Sequence, residues 1–105
     1  MGIKNYTINS KGEIDVDDNV DLIGREFKEL PYKFGTVKYN FALCCCTNLT
    51  SLKNCPNYVE GFFSCSRCPQ LNSLEGCPKV VVGYFNSNDC NNLESLEGCP
   101  KVAVS

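Results

Sequence analysis

The chain has no histidine, which removes the Ser-His and Cys-His nucleophile pairs at a stroke. It has no excess of one charge: ten basic and twelve acidic residues are interspersed, for a net charge of −2. Without a basic stripe there is nothing to track a phosphate backbone, so direct nucleic-acid binding is not expected. No apolar run approaches the length of a membrane span, and no membrane partner is expected. The opening Met-Gly-Ile-Lys-Asn-Tyr lacks the apolar stretch of a secretory signal, which predicts a cytoplasmic protein. A myristoylation signal would want Ser or Thr where Tyr6 stands. No glycine-rich loop leads into a helix, and no segment carries a helical period. Enzymatic chemistry is thereby left with little to work with. No cofactor is expected.

Cysteine, by contrast, is abundant, with nine in 105 residues. Such a count can signal a disulfide framework, a metal site, or thiols used as small core residues. The odd number and the missing export signal argue against the first. Spacing separates the other two, because the cysteines follow a repeat.

Written as 47–68, 69–90 and 91–105, the chain aligns without gaps. Leu49, Leu71 and Leu93 share a column; Leu52, Leu74 and Leu96 share another; Cys55-Pro56, Cys77-Pro78 and Cys99-Pro100 follow at equal offsets. Ser-Leu-Glu-Gly-Cys-Pro-Lys-Val occurs verbatim at Ser73–Val80 and Ser95–Val102. Counting back 22 positions anchors a degenerate unit over 25–46, with Val37, Phe41 and Cys46 in the columns of Val59, Phe63 and Cys68. A unit whose hydrophobes come singly cannot bury its own apolar face, so stacking of successive units is required. Residues one repeat apart should then touch at the spacing of neighbouring strands, about 4.8 Å. Alternation over Val59–Cys65 and Val81–Ser87 reads as a strand with one face buried. Residues 1–24 differ: Tyr6–Ile8, Ile14–Val16 and Val20–Leu22 alternate apolar with polar and predict a short antiparallel element sealing one end. The expectation is a single domain of all-β class. It is a short parallel β-solenoid of leucine-rich-repeat type with an N-terminal antiparallel β cap.

The run Phe63-x-Cys65-x-x-Cys68-x-x-Leu71-x-x-Leu74-x-x-Cys77-Pro78 resembles leucine-rich repeats, in particular the short BspA-like type and small repeat proteins common in phage genomes. The front end, from Tyr6-Thr-Ile through Leu30-Pro31-x-x-Phe34-Gly-x-Val37, is similar to the opening of those phage proteins. Tyr39 in place of the strand glycine, and the run Cys44-Cys45-Cys46, depart from the pattern. The resemblance implies a phage-encoded, non-catalytic accessory factor in the host cytoplasm. Such a factor binds a host protein and inhibits or redirects it, a defence component being one candidate.

Several side-chain sets bear on function. On each strand alternate residues should face outward, giving rows Lys38-Asn40-Ala42, Glu60-Phe62-Ser64 and Val82-Tyr84-Asn86. Phe62 and Tyr84 would lie side by side in solvent, as interface anchors do. Lys38, Asn40, Glu60, Phe62, Val82, Tyr84 and Asn86 are therefore the expected partner-binding residues. The C-terminus stops midway through a unit with Val102 and Val104, an open edge expected to pair in a homodimer. The alternatives are a purely self-assembling structural protein, or a zinc or thiol redox protein using Cys44, Cys45, Cys65 and Cys68. A calcium loop would use Asp15, Asp17, Asn19, Asp21 and Glu26, but its sixth position, which requires glycine, is Val20.

Overall fold

The computed structural model describes residues 3–93 and 102–103. Among these residues ten short strands run in chain order: β1 (Tyr6–Ile8), β2 (Ile14–Val16), β3 (Val20–Asp21), β4 (Phe34–Val37), β5 (Phe41–Ala42), β6 (Tyr58–Val59), β7 (Phe63–Ser64), β8 (Val80–Val81), β9 (Phe85–Asn86) and β10 (Val102–Ala103). They form a six-stranded sheet ordered β1-β2-β4-β6-β8-β10 and a four-stranded sheet ordered β3-β5-β7-β9. Among the described residues, every pairing apart from β1 on β2 is parallel. The result is a small parallel β-solenoid.

Register follows the sequence columns. Val37 lies on Val59, Val59 on Val81, and Val81 on Ala103. Phe41 lies on Phe63, and Phe63 on Phe85. Side chains therefore meet their own kind one coil away. The Phe41, Phe63 and Phe85 rings stack with centroids 5.7 and 5.6 Å apart and planes within 6°. Phe34 closes the column edge-on to Phe41 at 5.2 Å. Leu49, Leu52, Leu71 and Leu74 fill the third side of the coil, all fully buried. Each such buried side chain contributes about 1.5–3 kcal/mol of transfer free energy.

Two features differ from the sequence expectation. The segment 59–65 is not one strand. It breaks into β6 and β7, which belong to different sheets, with a corner at 60–62. The corner recurs at 38–40 and 82–84, and its backbone stays paired through it: Gly61 N donates to Tyr39 O (3.0 Å) and Gly83 N to Gly61 O (2.9 Å). Alternation cannot reveal such a bend, because a short strand on either side preserves the period of two.

The N-terminal region also does more than cap. The antiparallel pairing is confined to β1 on β2. β2 and β3 are themselves the first coil, joined in parallel to β4 and β5. Ile14 pairs with Phe34 but Val16 with Val37, so a bulge in β4 absorbs one residue. Offsets of 20 and 21 hide this coil from a search at 22.

The coil turns through left-handed residues. Gly24, Cys45, Arg67 and Asp89 stack in one column with φ of 74°, 61°, 55° and 61°. Asn54 and Gly76 form a second column with φ of 75° and 94°.

Candidate functional site

The corner between the two sheets carries the outward row. Lys38, Glu60 and Val82 are exposed on its near side, and Asn40, Phe62 and Tyr84 follow one position past its apex. Phe62 and Tyr84 stack with centroids 4.9 Å apart and planes at 12°. Tyr84 remains 46% exposed and Val82 42%, while Phe62 is half-buried. An aromatic pair standing outside the core, in parallel contact, presents a rigid apolar ledge at low side-chain entropy cost.

Not every residue of the expected row is available. Asn40 is structural: its Oδ1 accepts from Phe62 N (2.9 Å), and its own N donates to Asn19 Oδ1 (3.0 Å). Ala42 and Ser64 are buried rather than exposed, at 7% and 4%, although the core residues Phe41, Leu43, Phe63 and Cys65 beside them keep the alternation. Past the bend they belong to the second sheet. Ser64 Oγ meets Cys44 Sγ at 2.9 Å and Ser66 Oγ at 3.3 Å. Asn86 is half-buried, its Oδ1 accepting from Asn88 N (2.9 Å). Tyr39, 53% exposed at the apex of the corner one coil below Gly61, adds an aromatic that the alternating pattern passed over. Its replacement of the column glycine was the available signal.

The cysteines lie in ladders. Cys46, Cys68 and Cys90 each donate an S–H to the carbonyl just past a strand of the coil below: Leu22 O (3.2 Å), Leu43 O (3.2 Å) and Cys65 O (3.1 Å). A thiol suits this position because it is small, apolar enough for the core, and still a weak donor. Burial pushes the Cys46 thiol up, Cys68 up to about 12, and Cys55 higher still. The interaction between the Cys65 and Cys90 side chains lowers Cys90 and, with burial, raises Cys65.

All eight described cysteines are free thiols. Cys44, Cys45, Cys65 and Cys68 do not converge: Cys68 is turned to Leu43 O, and Cys44 to Ser64. Among the described residues no three Cys, Asp or Glu side chains gather as metal ligands. The acidic run 15–26 is also dispersed. Asp15 Oδ1 accepts from Thr36 N (2.9 Å) and Asn9 Nδ2 (3.2 Å), whereas Asp21 Oδ1 accepts from Ile23 N (3.1 Å). Val102 opens β10 at one edge of the six-stranded sheet; Val104 lies outside the described residues. Among the described residues, no helix is long and apolar enough to cross a membrane.

Comparison with family models, curated proteins and solved structures finds no match. The geometry of the chain itself is what carries a functional reading.

Proposed function

We propose that this chain is a non-catalytic protein-binding module whose contact surface is the corner row, with Phe62 and Tyr84 as anchors and Val82, Glu60 and Lys38 around them. The observation that carries this reading is the stacked, solvent-facing aromatic pair. Tyr84 is left nearly half exposed on the stack, and its full desolvation against a partner would release the rest of its burial energy. Glu60 and Lys38 supply the charged rim that sets orientation and on-rate. The sequence resemblance to phage leucine-rich-repeat proteins supports a host protein as the partner, bound in order to inhibit or redirect it.

The test is a paired capture experiment on host lysate with wild type and Tyr84→Ala. The captured partner should be lost, or its affinity reduced at least tenfold, about 1.4 kcal/mol, while the thermal melt stays within a few degrees. A partner held equally by Tyr84→Ala and Phe62→Ala would remove the corner from the reading.

A further inference from the structure

The six-stranded sheet ends on β1, and this edge is open in a particular way. Asp17 N donates to Asn5 O (2.8 Å) and Asn9 N to Glu13 O (2.9 Å), bonds that flank the two strands, so within β1 it is Thr7 that bonds to β2. Tyr6 and Ile8 must therefore direct their N–H and C=O groups away from β2, into solvent. Tyr6 sits opposite Val16 and Ile8 opposite Ile14, so their side chains lie on the sheet face that forms the core. The second sheet starts only at β3, beneath β2, and does not reach under β1. The inner face of β1 is left bare, with Tyr6 52% and Ile8 58% exposed. Together with Ile14, Pro31 and Tyr32 they line an apolar hollow of about 680 Å³ at this end of the stack.

We propose that β1 is the seam of a symmetric dimer, pairing antiparallel with β1 of a second copy about a twofold axis at Thr7. In that register Tyr6 faces Ile8 of the second copy, and Ile8 faces its Tyr6. All four outward N–H groups then find carbonyls, and each apolar side chain gains an apolar cross-strand neighbour. The paired residues Tyr6, Thr7 and Ile8 are uncharged, and Lys4 and Lys11 lie outside the paired stretch. A slip of two residues either way sets Ile8 against Lys4 or Tyr6 against Ser10, which discriminates against other registers. The two hollows join into one covered apolar space, and the two solenoids continue away from each other as one longer stack. An edge strand paired in this manner is also protected from indiscriminate association.

Sedimentation equilibrium at about 100 µM, where a dimer of about 10 µM Kd is well populated, should return twice the 11.6 kDa chain mass. Ile8→Pro removes an N–H that β2 does not use, a change that edge strands tolerate. It should weaken the dimer at least tenfold with an unchanged circular dichroism spectrum. Thr7→Cys places two thiols across a non-hydrogen-bonded pair, the closest in an antiparallel ladder. Oxidation should link two copies through the tryptic peptide 5–11, and Tyr6→Cys should link far less. A monomer at this concentration overturns the proposal. So does a dimer that Ile8→Pro leaves intact, which would move the contact to β10 or the corner row. Loss of host-partner capture by Tyr84→Ala is independent of either result.

Discussion

Gly83 occupies a position no side chain could share. A Cβ built there comes within 2.6 Å of Gly61 O and 2.7 Å of Gly61 C, backbone atoms that cannot step aside. Gly61 meets the same limit against Tyr39 O, at 2.7 Å, and against Asn40 Oδ1. Tyr39 carries a side chain at the equivalent point, where the shorter first coil lies beneath it. Gly83→Ala should cost about 1–3 kcal/mol, the scale of an overpacked site, as a lowered urea midpoint. The left-handed column runs the opposite way. Arg67 holds φ at 55°, and a residue with a Cβ is strained there by about 1–2 kcal/mol. Arg67→Gly should therefore raise stability by about 0.5–1 kcal/mol after the added freedom of the unfolded glycine is counted. The exposed Arg67–Asp89 ion pair, 3.8 Å, offsets little of this. A lower urea midpoint for Arg67→Gly would contradict the strain argument.

Buried thiols give the residue scale a pH dependence. Cys46, Cys55, Cys65 and Cys68 titrate above their ordinary value of 9.0 in the folded protein. Above pH 9 these thiols ionise in the unfolded chain but not in the native one, so their contribution, full below pH 9, is lost as pH rises. Cys90 shifts the other way. Its contribution is present above pH 9 and declines as pH falls through its lower native value, so it adds no slope on the alkaline side. Each retained thiol contributes about 1.4 kcal/mol per pH unit. Urea unfolding at pH 8 and pH 10 should show a clear loss at the higher value, and Cys55→Ala should shallow that loss. Equal midpoints at the two pH values would mean that the thiols are not held in the core.

At the scale of the element, individual strands are two to four residues long and have no independent stability. What holds β5, β7 and β9 is the ring column through Phe41, Phe63 and Phe85. Phe63 is fully buried between two parallel neighbours, each contact adding about 0.5–1.5 kcal/mol beyond its area. Phe63→Ala should cost about 3–5 kcal/mol, and Phe63→Leu markedly less, by chemical denaturation. Equal losses would assign the column's energy to volume alone rather than to ring stacking. The repeat columns announced this element directly, since Phe63 and Phe85 recur at one offset. The corner did not announce itself. Residues 59–65 alternate as a continuous strand would, and the bend becomes visible only when Gly61 and Gly83 are seen stacked with no room for a Cβ. The outward row is exposed at Val82 and Tyr84 and half-buried at Phe62. It is covered at Ala42 and Ser64, where a neighbour such as Cys44 against Ser64 closes the surface, and alternation alone does not foretell that.

On the scale of the whole molecule, coils touch only their immediate neighbours, so stability is the sum of unit and interface contributions. Amide exchange should be slowest in the interior, at Val59 and Phe63, and faster toward β1 and β9. Uniform protection would indicate a single all-or-none core instead. Every strand pair except β1–β2 joins residues 20 to 22 positions apart, so refolding should fall in the slower, millisecond-to-second range.

Several properties of this protein follow from the one-dimensional pattern. A period of 22 sets the register, because identical side chains stacked on one another bury the most apolar surface, and that determines which residues touch. The ladder cysteines are core residues on the same ground. Other properties arise only when the coil closes in three dimensions. Where the strand bends is decided by backbone clearance between coils. Which thiol meets which carbonyl depends on the rise from one coil to the next. Residues 14–24 join the stack because a bulge in β4 restores their register. The bare inner face of β1 exists because one sheet extends a strand beyond the other, a difference in length between two layers that no single segment encodes.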